Sequence, residues 1–172
     1  MNISHTSPEQ VEVYRLNLPA AVIITLLALF LQSFIPHWIS WFAIFDLPLL
    51  VTIFFGVTRR NPVSGLLTGC AIGLLQDSLV HQPFGVYGIT KTVVGYFASS
   101  LGVKLDVENA AARLILTFVF FVLHKALYFG VARYMVGQVL EWSWGHELTA
   151  GLANGVFAVG LFFVLDRFKH RI

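Results

Sequence analysis

Long apolar runs, separated by short polar segments, dominate the chain. A hydrocarbon core about 30 Å thick, crossed at about 1.5 Å per helical residue, predicts six membrane-spanning helices. They cover approximately residues 18–38, 41–57, 62–80, 84–103, 110–136 and 147–166. The second run is short and contains Pro48, so we expect it to be kinked, broken or only partly inserted.

Composition supports a membrane protein with no soluble domain. Of the 172 residues, 57% are hydrophobic and 12% are charged, and the mean hydropathy is +0.77. This is too little polar surface to cover a soluble globule. We therefore predict an all-α integral membrane protein in which residues 18–166 form one six-helix transmembrane bundle. Residues 1–17 are predicted to be a short polar lead, and residues 167–172 a short basic tail.

The positions of the basic residues predict the topology. Loops rich in Lys and Arg remain cytoplasmic, and eight of the eleven basic residues fall on one side of the predicted bundle. They are Arg15, Arg59, Arg60, Lys104, Arg113, Arg167, Lys169 and Arg171. Both termini are therefore predicted to be cytoplasmic. The net charge of +2 is explained by this topology, so we predict the lipid bilayer as a partner and no nucleic acid.

Five charged residues inside the predicted spans are candidates for pairing, and most of them fall in the outer halves of the spans. They are Asp46, Asp77, Lys91, Lys125 and Arg133. A charge in hydrocarbon is costly unless it is paired or protected, so these residues mark a packed or functional face. The favoured interpretation is pairing of acids with bases across helices. The alternatives are an outward-facing cavity for a ligand or partner segment, and snorkelling of the long basic side chains to the headgroups.

Glycines at regular spacing predict close helix packing. Gly65, Gly69 and Gly73 repeat every fourth residue and lead to Asp77. Small residues at this spacing let two transmembrane backbones approach closely. Further small-residue faces are predicted in the fourth and sixth spans, at Gly85, Gly95, Gly151 and Gly155. Each face serves either packing inside the bundle or contact with a partner helix.

No pattern in the chain predicts catalysis, a cofactor or a metal. The sequence contains no phosphate-binding glycine loop, no pair of histidines at helical metal-binding spacing and no serine elbow. Cys70 is the single cysteine, so disulfides and cysteine-based metal sites are excluded. We interpret His124 as a packing or hydrogen-bonding residue, and the neighbouring His146 and Glu147 as a weak signal for cation binding.

The stretch from residue 62 to residue 101 resembles a known family. Gly65, Gly69, Gly73 and the following Leu-Leu-x-Asp77 match the G-x-x-x-G-x-x-x-G-L-L-x-D segment of the MreD family of rod shape-determining membrane proteins. A Pro-Phe-Gly turn at residues 83–85 and a Val-Gly-Tyr at 94–96 extend the similarity. The Asp-Leu-Pro at residues 46–48 resembles the opening of the family's second span, with the order altered.

This resemblance implies a non-enzymatic subunit of the bacterial cell-elongation complex, located in the cytoplasmic (inner) membrane. The implied partners are MreC, a single-pass periplasmic protein, together with MreB, RodA and a class B penicillin-binding protein. The family's fold is thought to be similar to the six-helix substrate-binding subunits of energy-coupling-factor transporters. Vitamin binding by a transporter subunit is therefore the rival function. The A-x-x-x-A docking pattern of those subunits is absent from the first span, which disfavours it.

Overall fold

A computed structural model describes residues 14–80, 83–102 and 109–171 of the chain. Four of the eight basic residues that predict the topology are affected. Lys104 lies outside the described residues, and so do the side chains of Arg15, Lys169 and Arg171. Most of the predicted polar lead, residues 1–13, also lies outside them.

The described residues form six α-helices and a small antiparallel sheet. The helices are α1 (Leu18–Trp38), α2 (Leu47–Arg59), α3 (Pro62–Val80), α4 (Val86–Gly102), α5 (Ala110–Gly130) and α6 (Trp144–Asp166). A 3₁₀ helix (Ser40–Ile44) precedes α2, and a π-helix (Val131–Met135) continues α5. The sheet consists of β1 (Tyr14–Leu16) and β2 (Lys169–Arg171). The prediction of a helical, multi-pass membrane protein is confirmed by the six helices, whereas the two short strands depart from the all-α prediction.

Five helical segments of the described chain are long and apolar enough to cross a membrane. They are α1, the 3₁₀ helix together with α2, α3, α5 together with the π-helix, and α6. Helix α4 is the exception. With 17 residues, α4 spans about 26 Å, slightly less than a hydrocarbon core of about 30 Å. The predicted boundaries also shift at α6, which begins at Trp144, three residues before the expected start at residue 147. Glu147 in its first turn favours the earlier start, because an acidic side chain interacts well with a helix N-terminus.

The short helix α2 forms the centre of the bundle. All twelve residues from Leu47 to Thr58 are buried, and α2 contacts each of the other five helices. A helix that is apolar all round is typical of such a position. The second predicted span is broken, as expected, and the break precedes Pro48. Proline is tolerated in the first turn, where its missing N–H would have no helical partner.

Contacts near the chain ends place the start of α1 and the end of α6 at the same end of the bundle. Strand β1 directly precedes α1 and pairs with β2, which follows α6. Arg113 in the first turn of α5 also binds Asp166, the last residue of α6, at 2.6 Å. We call the end of the bundle that carries Arg59, Arg113 and Arg167 the basic end. Which side of the membrane it faces remains a prediction.

Candidate functional site

The carboxylate of Asp46 lies where three helices meet, at the N-terminus of α2. Its Oδ1 accepts the backbone N–H of Leu49 at 2.9 Å, so Asp46 caps the helix. Lys91 Nζ, from α4, donates to both carboxylate oxygens at 3.0 Å. His124 Nε2, from α5, lies 3.3 Å from Oδ2. We call Asp46, Lys91 and His124 the polar cluster.

The polar cluster is buried. The side chains of Lys91, His124 and Asp46 expose 0%, 1% and 13% of their surface. A buried charge is strongly destabilising when its partner is missing, whereas a well-bonded pair is tolerated. A one-turn slide of α4 along α2 would move Lys91 by about 5.4 Å and leave two charges unpaired. The cluster therefore favours one register among α2, α4 and α5.

Aromatic rings cover one side of the polar cluster. The Tyr87 ring centre lies 5.3 Å from Lys91 Nζ, within the range of a cation–π interaction. The same ring stacks on His124, with centroids 6.0 Å apart and planes 13° apart, and on Tyr128 at 5.1 Å. These contacts hold the imidazole in place beside the carboxylate.

The contacts of His124 indicate which ring nitrogen carries its proton. Nε2 faces the Asp46 carboxylate, which only accepts hydrogen bonds, so Nε2 is the donor. Nδ1 is buried and has no hydrogen-bond partner among the described residues. The imidazole thus contributes one hydrogen bond to the cluster and does not relay a proton to another described side chain.

Gln32 of α1 satisfies backbone groups at the break before α2. Its Nε2 donates to the carbonyl oxygen of Phe45 at 2.9 Å, and its Oε1 accepts the N–H of Leu47 at 3.0 Å. Irregular backbone at membrane depth requires such partners because hydrocarbon offers none.

Asn154 of α6 also bonds the break before α2. Its Oδ1 accepts the backbone N–H of Asp46 at 3.0 Å, and its Nδ2 donates to the carbonyl oxygens of Ile44 and Ala150, both at 2.8 Å. Asn154 is fully buried. The two carboxamides therefore hold α1 and α6 to the segment that positions the Asp46 carboxylate.

Asp77 caps a neighbouring helix, which corrects the expectation that it pairs with a cation. Its Oδ2 accepts the backbone N–H groups of Gly85 and Gly88 at 2.9 and 3.0 Å, and its Oδ1 accepts that of Tyr87 at 2.9 Å. The first N–H groups of a helix have no partner within that helix, and the helix dipole favours a negative charge beside them. Asp77, which is 1% exposed, thus ties the end of α3 to the start of α4.

The glycine series of α3 packs directly against α4. A Cβ atom added at Gly65, Gly69 or Gly73 would lie 2.3, 2.1 or 2.2 Å from a backbone oxygen of α4, closer than any real contact. Gly95 of α4 faces Gly65 in the same way, at 2.3 Å. Helices α3 and α4 also share the most extensive contact in the described chain. These four glycines therefore serve packing inside the bundle.

The remaining predicted glycines divide into two groups. Gly151 and Gly155 face α5, where an added Cβ would lie 3.0 Å from the Phe118 ring and 3.2 Å from the Leu114 carbonyl oxygen. Gly85 has no neighbour within 4 Å of an added Cβ, which corrects its assignment to a packing face. It lies in the turn before α4 with a φ of +103°, a conformation that glycine adopts without strain.

Lys125 and Arg133 lie outside the polar cluster. Lys125 Nζ is 3.5 Å from the Glu147 carboxylate, and its side chain is 33% exposed. Although it follows His124 directly, successive helical residues point about 100° apart, so the two side chains diverge. Arg133 belongs to the π-helix that continues α5, and its guanidinium lies 5.7 Å from the Phe129 ring centre.

The chain matches the family model described as rod shape-determining protein MreD over residues 14–169. The chain belongs to the MreD family. The match includes every residue of the polar cluster and the glycine series, and it confirms the resemblance seen in the sequence. Comparisons with curated proteins and with solved structures found no match. Family membership indicates a role in rod shape determination, within a family of structural membrane proteins that is not a known enzyme family.

The sequence did not predict the partners of several structural residues of this MreD-family chain. Gln32 lies in the first apolar run, where a polar side chain indicates a buried hydrogen-bond partner. Asn154 stood out only as a polar neighbour of glycines, and His124 had no acidic residue within its own span. The partners that the two carboxamides bind at the break before α2 lie 13 to 110 residues away in sequence, so spacing alone could not pair them.

The arrangement of the polar residues is suited to a structural role, in which they join one helix to another. Within residues 14–80, 83–102 and 109–171, no three His, Cys, Asp or Glu side chains are grouped so that they could hold a metal ion. The carboxylates of Asp46 and Asp77 are occupied by helix capping, and Lys91 is occupied by Asp46. The polar groups therefore join helices to one another.

Proposed function

We propose that this protein is a non-enzymatic membrane subunit of the bacterial rod complex, where it scaffolds an MreC-like single-pass protein and the side-wall peptidoglycan synthesis machinery. The observation that carries the proposal is the family match over residues 14–169. MreB, RodA and a class B penicillin-binding protein are the further members of the proposed complex.

The contacts inside the bundle support a scaffold. A scaffold needs a surface of fixed shape, and this bundle joins its helices by ionic, capping and carboxamide contacts as well as by packing. The glycines at 65, 69, 73 and 95 are used between α3 and α4, and those at 151 and 155 between α5 and α6. The proposed partner surface therefore lies on other faces of the helices.

A groove between α1 and α6 offers such a surface. It has a volume of about 650 Å³ and is lined by apolar side chains, with α2 as its floor. Ile23 and Leu27 of α1 and Val164 of α6 line it and are more than half exposed. We place the transmembrane helix of the MreC-like partner here, because packing against a preformed groove drives helix association in lipid.

The proposed orientation places the basic end in the cytoplasm, in the cytoplasmic (inner) membrane. The concentration of Arg59, Arg113 and Arg167 at that end supports it, through the tendency of basic loops to remain cytoplasmic. In this arrangement residues 18–166 form the transmembrane domain, and MreB approaches the basic end. Likeness to energy-coupling-factor subunits remains a prediction of the family resemblance.

Affinity purification in mild detergent, combined with depletion in cells, tests the proposal. We expect the protein to recover a single-pass MreC-like protein, and depletion to make rod-shaped cells round. Ile23→Trp, which fills the groove, should reduce recovery. Phe30→Trp on the same helix is the matched control, since Phe30 is 55% exposed and does not line the groove. A stoichiometric bound vitamin, with cell shape unaffected by depletion, would overturn the scaffold function.

A further inference from the structure

A second groove lies on the membrane-facing side of the bundle between α1 and α3. Its volume is about 320 Å³, and its walls are apolar, including Val22 and Leu26 of α1 and Leu67 and Leu75 of α3. Phe55 of α2 lies at its base. The groove is independent of the α1–α6 groove, with which it shares no lining residue.

A cation closes this groove at the basic end. Arg59, the last residue of α2, lines the groove and is half-buried. Its Nη1 lies 3.2 Å from Ser64 Oγ and 3.3 Å from Thr68 Oγ1, and its guanidinium is 5.6 Å from the Phe55 ring centre. No carboxylate among the described residues contacts Arg59.

These contacts leave Arg59 with unused binding capacity. A guanidinium has five N–H donors, and two neutral hydroxyls compensate neither the remaining donors nor the charge. A cation beside hydrocarbon is costly without a counter-charge. The chemistry that satisfies it is an anionic oxygen, and the planar fork of arginine suits phosphate in particular.

The shape of the groove indicates what accompanies the anion. From Leu18 to Leu26 on α1, and from Leu67 to Leu75 on α3, the lining covers about 12 Å of helix length. An alkyl chain, about 5 Å wide from van der Waals contact distances, occupies roughly 240 Å³ and fits.

We propose that this groove binds an anionic phospholipid, with one acyl chain along α1 and α3 and the phosphate on Arg59. Basic pockets between transmembrane helices are known sites for acidic lipid headgroups. The assignment does not rest on the scaffold function, because it concerns a different face and a different ligand. Lipid binding in this groove makes the bundle sensitive to the acidic lipid content of its membrane.

Native mass spectrometry of the full-length protein, titrated with dioleoyl phosphatidylglycerol or dioleoyl phosphatidylcholine, tests the site. We expect phosphatidylglycerol to bind roughly fivefold more tightly, the effect of about one interfacial basic residue. Arg59→Gln should abolish this preference, and Arg59→Lys should retain most of it. Arg167→Gln is the matched control, since it removes one exposed charge from the same end of the bundle and should leave the preference unchanged.

The acyl chain is tested separately. Ala71→Phe places a ring in the groove without altering charge, and it should weaken binding of both lipids. Equal binding of the two lipids by the wild-type protein, or an unchanged preference in Arg59→Gln, would overturn the proposal. Inorganic phosphate that competes as effectively as phosphatidylglycerol would show an anion site without a lipid chain, which also contradicts it. If Arg59→Gln fails to fold, the other two variants still test the proposal. Loss of the phosphatidylglycerol preference in Arg59→Lys, or unchanged lipid binding by Ala71→Phe, would contradict it.

Discussion

Replacing Lys91 by Met tests whether the polar cluster holds the bundle together. The substitution keeps a long flexible side chain and removes the charge that contacts both Asp46 oxygens at 3.0 Å. Asp46 would remain buried, with only His124 and the Leu49 N–H as partners. Breaking a buried ion pair by removing one partner costs about 3–5 kcal/mol, and we expect a loss of this size in the free energy of unfolding.

The double substitution Asp46→Asn/Lys91→Met separates pairing from simple loss of a side chain. Asparagine keeps an oxygen that accepts the Leu49 N–H, so the cap of α2 survives. Asp46→Asn alone should also cost about 3–5 kcal/mol, because it leaves Lys91 unpaired. With both charges removed, mainly ordinary hydrogen bonds are lost, and we expect a cost of about 1–2 kcal/mol.

Reversible unfolding in mixed detergent micelles, followed by circular dichroism, measures these free energies. Lys125→Met is the control, since its contact with Glu147 is longer, at 3.5 Å, and its side chain is 33% exposed. We expect it to cost less than about 1 kcal/mol. If the double variant lost as much stability as the sum of the single variants, Asp46 and Lys91 would not be energetically coupled, and the proposed role of the cluster would be refuted.

Three further substitutions test the other contacts by thermal unfolding in detergent. Gly69→Ala should cost about 3 kcal/mol, because its Cβ would lie 2.1 Å from a backbone oxygen of α4. Gly160→Ala, which has open space, should cost nothing, and equal losses at the two sites would contradict the packing role. Asp77→Ala should cost about 3 kcal/mol by leaving the N–H groups of Tyr87 and Gly88 in α4, and of Gly85 in the turn before it, without an acceptor. Ser78→Ala should be neutral, since its exposed hydroxyl bonds only its own helix, and unchanged stability of Asp77→Ala would show that the cap is dispensable. Asn154→Leu should cost about 2 kcal/mol by removing both hydrogen bonds to the break before α2, and a stability equal to wild type would show that this break needs no partner from α6.

The close packing of α3 could be predicted from the sequence because the signal is local. Gly65, Gly69 and Gly73 recur at the helical repeat, so they share a face whatever surrounds them. The break near Pro48 was predictable for a similar reason, since proline restricts its own backbone and that of the preceding residue. The family resemblance rested on the same local series, and the match over residues 14–169 confirms it.

The roles of the charged residues could not be derived in this way. The sequence offered Asp77 as an ion-pair partner, whereas its carboxylate receives three backbone N–H groups. Backbone donors are present at every helix start and leave no mark in the sequence. Which helix start lies beside a given carboxylate depends on how the helices pack. Gly85 illustrates the same limit, because its role follows from a φ of +103° in a turn and not from its spacing.

The sequence by itself determined the class of protein, the approximate positions of the apolar helices, and the family. These properties follow from hydropathy and from short-range spacing, which any segment carries with it. Only the tertiary structure decided that α2 is the buried centre, that Lys91 and His124 converge on Asp46, and that Gln32 and Asn154 complete the broken backbone beside it. In hydrocarbon each buried polar group needs a partner, and that partner is chosen by the distances between packed helices.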